Sequence, residues 1–249
     1  MFCYQCEQTA QGTGCTTNGV CGKTNETAIM QDLLVLATKG LAQVARFART
    51  HGIEDVEVNR FTLEALFTTV TNVNFDVDKI DALVAHAVTL RDRLAGTLKG
   101  KGVDLSGLPS SATFSLHQEK DGRLVQALDA SFLKREQDQS PINVGLEELI
   151  LYGLKGVAAY ADHAMIVGQE DPAVYAKMHE ILAFLETTPT TDELVAQAMA
   201  VGELNLTVMG LLDAGNTGSF GHPVPTKVNV NPVAGKCILV SGHDLRDLE

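Results

Sequence analysis

The sequence predicts a mainly α-helical protein, with helical bundles behind an N-terminal cysteine-rich cluster loop and then the first strand of a truncated α/β domain. Three observations predict it. Apolar residues recur at intervals of three and four over long stretches between 25 and 213, the period of one helix face. The chain is 45% hydrophobic yet lacks Trp and is poor in aromatics, so its core must come from Leu, Val, Ala and Met, which favours helices. After Ala214 the period fails, and glycines, prolines and one short apolar run take over.

The chain opens on Cys3, Cys6, Cys15 and Cys21, spaced C-x2-C-x8-C-x5-C. Thiolates are soft ligands that select zinc, copper(I) or iron–sulfur clusters. A structural zinc site usually pairs two C-x2-C knuckles, and here only the first pair is one; the single later cysteines are closer to the staggered runs of ferredoxin-type clusters. Glu7 is the only charged side chain between Met1 and Gly22, and Gly12, Gly14, Gly19 and Gly22 let the backbone approach a bulky cofactor. Backbone N–H groups aimed at sulfur would then tune its potential. Two alternatives stand beside the iron–sulfur reading. Zinc could staple the loop, or the cysteines could form two disulfides, which needs an oxidising compartment; no secretory signal pattern precedes Cys3.

Thr24 offers an N-cap for a first helix whose Leu33, Leu34, Ala37, Leu41, Val44, Ala45 and Ala48 share a face, with Gly52 as its stop. A shorter helix is expected over 59–70, then a polar connection, Thr71-Asn72-Val73-Asn74-Phe75-Asp76. Ile80, Leu83, Val84, Ala87, Leu90 and Leu94 predict a helix over 77–94. The Gly-, Ser- and Pro-containing stretch 96–118 reads as a loop, and the charged segment 121–139 as helical. From Leu146 to Met165 the apolar stripe is continuous, with Gly153, Gly156, Ala158 and Ala159 small enough for close helix packing. Pro172 starts a helix to about 186, and Thr191-Asp192-Glu193 opens a last one to about 213. Gly215 to Ser219 reads as a loop, and Lys236-Cys237-Ile238-Leu239-Val240-Ser241 as a buried strand running into Gly242-His243-Asp244. The expected division is therefore a helical domain over 1–214, its cluster loop occupying 1–23, and the start of a truncated α/β domain over 215–249.

A formal net charge of -12 argues against nucleic acid, which is bound through clustered Lys and Arg. No apolar run reads as long enough to cross a bilayer, and with no targeting segment the expected location is the cytoplasm. Among single residues, Cys237 reads as a small buried hydrophobe, and His243 by itself as a surface or capping residue. His163, His179 and His222 have no partner at metal-ligand spacing. Glu147-Glu148 and Asp192-Glu193 read as acidic pairs favoured by a helix N-terminus.

Several segments taken together resemble one family. They are Met1-Phe2-Cys3-Tyr4-Gln5-Cys6-Glu7, Val20-Cys21-Gly22-Lys23, Leu66-Phe67-Thr68 and the 71–76 connection, then Leu151-Tyr152-Gly153-Leu154-Lys155-Gly156-Val157-Ala158-Ala159-Tyr160, Leu212-Asp213-Ala214 and the run from Gly235 to Leu245. The chain is similar to the hybrid-cluster proteins, also called prismane proteins or hydroxylamine reductases. The resemblance implies an all-helical domain of two bundles in which Cys3, Cys6, Cys15 and Cys21 hold one [4Fe–4S] cluster. It also implies that His243 ligates a hybrid iron–sulfur–oxygen cluster in a longer polypeptide, whose glutamate and cysteine ligands would lie beyond Glu249. The implied activity is reduction of hydroxylamine to ammonia and water, with nitric oxide reduction as a related activity. Electrons would enter from a redox partner, a reductase or ferredoxin-like donor, and the substrate would be a small nitrogen oxide. Two other expectations are a stand-alone iron–sulfur electron-transfer module and a zinc-stabilised helical interaction domain.

Overall fold

The computed structural model describes residues 1–238. The helices are α1 (Asn25–Thr50), α2 (Val56–Phe67), α3 (Val77–Gly100), α4 (Lys120–Ala130), α5 (Phe132–Asp138), α6 (Pro141–Ile166), α7 (Pro172–Phe184) and α8 (Thr191–Phe220). Among the described residues no strand forms, and the only bridge is an antiparallel one between Cys3 and Cys15.

Local chemistry sets the helix ends. The Thr24 hydroxyl accepts the Thr27 N–H at 3.2 Å and starts α1. Gly52, at φ 69°, ends it, and the Ile53 N–H turns back to the Ala48 carbonyl at 3.0 Å. Asp55 and Asp76 cap α2 and α3 through their carboxylates. Thr190 and Glu193 form a reciprocal capping box at the start of α8.

Helix α1 is the axis of the molecule. Met30, Leu34 and Leu41 face α3 and α4 in one apolar core, completed by Leu90 and Leu98. Val35 and Ala42 belong to a second core with Leu63 of α2, Ile150 and Leu154 of α6, and Leu182 of α7. Each fully buried Leu contributes about 1.5–3 kcal/mol relative to exposure. Helices α1 and α2 both give residues to the two cores, α2 through Val58, Phe61 and Ala65 on one side and Leu63 and Leu66 on the other, so together they couple the two bundles.

Several expectations are corrected. Helix α2 begins at Val56 because Asp55 caps it, and it stops at Phe67. Helix α3 runs on through Gly96 to Gly100. The stretch beyond it is packed: a 3-10 turn at Ser110–Ala112 lies on α1, where the Ser111 carbonyl leaves Gly40 no room for a side chain. Arg91, 3% exposed, fixes that stretch by donating to Phe114 O at 2.9 Å. The charged segment is two helices, divided at Ser131, whose extended backbone (ψ 156°) breaks the helical path.

Helix α8 continues to Phe220, so Gly215 to Ser219 is helical and not a loop. Gly215 is there for contact: a Cβ would strike the Val167 side chain at the end of α6. From 221 to 238 the chain is irregular and exposed. No strand forms over residues 236–238, and Cys237 is exposed where burial was expected, since among the described residues there is no neighbouring strand to pair with it. Residues 239–241 of the expected strand lie outside the described residues, as does His243.

The expectation about bilayer-length segments also changes. Helices α1 and α8 are both long and apolar enough to span a membrane by length and composition. Most of α1 is buried inside the protein, as a core helix is. Helix α8 buries Leu194, Val201, Leu204 and Val208 along one seam and leaves Val195, Met199, Leu206 and Met209 exposed on the other side.

Candidate metal centre at the N-terminal loop

The cysteine loop is folded back on itself and tied down. Cys3 and Cys15 exchange backbone hydrogen bonds at 3.0 and 2.8 Å, which brings the first and third cysteines side by side. The Thr9 hydroxyl donates to Cys3 O at 3.0 Å, and Gly19 N–H donates to Lys23 O at 2.8 Å. Gln11 and Gly12 adopt φ values of 55° and 70°, the left-handed turn that lets so short a segment reverse. Cys15 is buried, Cys3 and Cys6 are half-buried and Cys21 is exposed.

None of these cysteines is in a disulfide. The Ala10 N–H points at Cys15 Sγ from 3.4 Å, and the Thr9 hydroxyl lies 3.7 Å away. Backbone hydrogen bonds from Ala10 and Val20, with Thr9, pull the Cys15 thiol below its ordinary range against the opposing effect of burial. Such donors favour the thiolate form at Cys15. Among the described residues no three His, Cys, Asp or Glu side chains converge closely enough to hold a metal as they stand. The donor set therefore fits an iron–sulfur or zinc centre in kind, and binding would have to draw the thiols together.

The seat of the loop joins residues that the sequence named only within separate segments, together with Phe132. Phe2 stacks on Phe132 of α5 at 4.9 Å, and Tyr4 meets the same ring edge-on at 5.6 Å. The Tyr4 hydroxyl donates to Glu148 at 2.7 Å, Thr71 donates to Gln5 O at 3.1 Å, and Tyr152 donates to the same carbonyl. The polar connection after α2 is thus the floor of the loop: Thr71 holds Gln5, and Asn74 O accepts from Gln31 at 3.0 Å.

Under the loop lies a cavity of about 230 Å³, lined by Cys3, Tyr4, Asp32, Arg135, Glu148 and Lys155 among others. Arg135 pairs with both Glu147 and Glu148. Burial opposes the charge on Glu148, yet the Arg135 charge and the hydrogen bonds from Tyr4 and Arg135 hold its carboxyl below the usual range. Burial, reinforced by Glu148, pushes the Tyr4 phenol well above its usual range. Asp32 faces the cavity without a hydrogen-bond partner, and burial lifts it to about 7 despite the attraction of Lys155. Burial pulls Lys155 down to about 8, against the attraction of Asp32 and Glu148.

Lys23 and Lys155 are 2% and 6% exposed. Lys23 donates to the Gln31 amide oxygen at 2.7 Å. With the Gln5 amide oriented to satisfy both of its ends, its oxygen accepts from Lys155 Nζ at 3.0 Å and its nitrogen donates to Thr69 O at 3.0 Å. The expectation that Glu147-Glu148 is an acidic pair at a helix start is corrected, because α6 begins at Pro141 and both carboxylates are turned inward onto Arg135. The readable signal was their period: Glu148, Tyr152 and Lys155 share one face of α6, and Asp32 interrupts an apolar run of α1. His179 lies in the second bundle, fully buried between Arg49 (2.6 Å) and Thr62 (2.8 Å), with no metal-ligand partner.

The whole chain, residues 1–249, matches the model of the Prismane/CO dehydrogenase family. It is 48% identical over 250 residues to a hydroxylamine reductase of Syntrophobacter fumaroxidans, covering 100% of this chain and 46% of that protein. It is 47% identical over 251 residues to a hydroxylamine reductase of Methanocella arvoryzae, again covering 100% of the chain and 46% of the relative. One from Maridesulfovibrio salexigens is 48% identical over 249 residues, 45% of its length. The chain thus spans about half the length of the curated relatives it matches. A family match from end to end, with identity near one half, leaves one conclusion: the chain belongs to the Prismane/CO dehydrogenase family.

Proposed function

We propose that this chain is the electron-entry portion of an iron–sulfur oxidoreductase that reduces hydroxylamine, NH2OH + 2 H⁺ + 2 e⁻ → NH3 + H2O, with nitric oxide reduction as a related activity. Cys3, Cys6, Cys15 and Cys21 hold one [4Fe–4S] cluster, and His243 serves the hybrid iron–sulfur–oxygen cluster of a polypeptide as long as the relatives. The helical part, set at 1–214 by sequence and carried on by α8, presents the first centre; the segment from 215 leads towards the second. By itself the chain accepts and passes electrons without completing the reaction. Its partners are a one-electron donor in the cytoplasm and a small nitrogen oxide.

The observation that carries this reading is a loop of four free thiols, one of them already receiving N–H donors, in a chain whose relatives are named for this reaction. When bound, the cluster supplies reversible one-electron chemistry at a potential set by its surroundings. The chain's own residues do the rest. Ala10 and Thr9 orient and stabilise the Cys15 thiolate. Phe2, Tyr4 and Phe132 cover one side of the loop with aromatic surface. Tyr152 and Thr71 hold the backbone between Cys3 and Cys6 in place.

Iron, sulfide and zinc content of anaerobically prepared protein, beside a Cys15→Ala variant, tests the proposal. Expected are about four irons and four sulfides per chain and a brown colour, lost or much reduced in the variant. About one zinc without sulfide would replace it with a metal-stapled helical domain.

A further inference from the structure

Burying an ammonium is costly, and proteins usually meet the cost with a carboxylate in hydrogen-bonding range. Lys155 departs from that pattern. It is 6% exposed, and its Nζ is held by the Gln5 amide oxygen at 3.0 Å. Among the described residues no carboxylate comes within ion-pair distance of it. The nearby acids are otherwise engaged: Glu148 by Arg135 and Tyr4, Glu147 by Arg135, and Glu186 by Lys39 at 3.2 Å. Of the two carboxylates left in the cavity, Asp32 and Asp129, Asp32 is the one whose charge acts on Lys155, and it stops short of pairing with it. The glutamine that does hold Lys155 lies in the cysteine loop itself, between Cys3 and Cys6. Cys3 lines the same cavity and, as a thiolate, attracts Lys155.

A full positive charge tethered by a neutral group, facing a loop that gathers thiolates, is placed to act on whatever negative charge collects there. We infer that Lys155 is the electrostatic counter-charge of the cysteine-bound centre, tethered by Gln5, and that it raises the centre's reduction potential by favouring the more negative, reduced state. Asp32, across the same cavity, opposes it. The inference rests on the iron–sulfur reading of the four cysteines. On reduction the centre takes up one electron from a one-electron donor. No bond at Lys155 forms or breaks, and its ammonium keeps its protons. Because the charge is buried, mobile salt screens its effect little.

The test is the midpoint potential of the 249-residue chain after anaerobic reconstitution with iron and sulfide. Dithionite is the reductant, and the visible spectrum and electron paramagnetic resonance are the readouts. Lys155→Met is expected to lower the potential by about 59 mV, on the order of a tenfold loss in the one-electron reduction equilibrium. Lys155→Arg, which keeps the charge, should stay near wild type. At pH 7.5, where most of Asp32 is ionised and most of Lys155 protonated, Asp32→Asn should move the potential in the opposite direction to Lys155→Met, a sign reversal that a purely structural role does not produce. Should Lys155→Met fail to fold by circular dichroism, Asp32→Asn and Lys155→Arg decide alone. Iron and sulfide bound normally, with Asp32→Asn and any folded Lys155→Met at the wild-type potential, would overturn the inference and leave the cluster standing. Wild-type chain that binds no iron and sulfide would overturn both.

Discussion

His179 shows how far one side chain's role can lie from its chemical reputation. Its ring is fully buried, and Arg49, which can only donate, fixes Nδ1 as the acceptor at 2.6 Å. Nε2–H then donates to Thr62 at 2.8 Å, and the Thr62 hydroxyl donates to Val58 O. Burial, with the Arg49 charge beside it, depresses the imidazole to about 3 from its usual 6.5. The folded protein therefore holds His179 neutral, while the unfolded chain takes up a proton below 6.5. The stability it protects is fully present above that pH and is lost as pH falls from 6.5 towards 3, by up to about 1.4 kcal/mol for each pH unit. His179→Gln keeps a polar side chain there without the titration. Urea unfolding of both proteins from pH 7.5 to 4.5 should show a shallower acid loss in the variant; parallel curves would refute the assignment. The sequence showed no partner at metal-ligand spacing for His179 but not what holds it, because Arg49 and Thr62 reach it from 130 and 117 residues away.

At the scale of elements the helices were largely legible, since their period and caps are local properties. Thr24 and Gly52 bound α1 as read, and Pro172 sits in the first turn of α7. The capping box makes a direct prediction: Thr190→Ala should lower stability by about 1 kcal/mol, seen as a reduced melting temperature by circular dichroism. Gly153 makes another. A Cβ there would stand 2.7 Å from Val201 Cγ1, at the crossing of α6 and α8. Gly153→Ala should cost about 1–3 kcal/mol by overpacking, and Val201→Ala in the same chain should restore part of it. If the double variant is no better than the single one, the close approach is not what Gly153 provides. The ends of elements were less legible where tertiary contact overrides local signals. Gly215 and Gly218 looked like loop residues, but α8 carries them because Gly215 must pass Val167.

At the scale of the molecule, α1 and α2 each contribute to both cores, so the two bundles share helices. Thermal unfolding should be a single transition, coincident by far-ultraviolet circular dichroism and by tyrosine fluorescence, as a two-state protein requires. Two resolved steps would mean that the bundles are independent. The candidate centre was legible in one half only. Cys3, Cys6, Cys15 and Cys21 announce themselves by density and spacing. Lys155, Asp32, Arg135 and Glu148 come from three helices and reach the loop only through the fold. Tyr4 and Tyr152, which fasten that loop to Glu148 and Gln5, are two of the chain's 4 tyrosines, and the chain has no Trp. Half of its tyrosines therefore sit beside the loop of Cys3, Cys6, Cys15 and Cys21. The protein carries its own optical gauge of that loop, and the proposed cluster's uptake should register as a change in tyrosine emission without an attached dye.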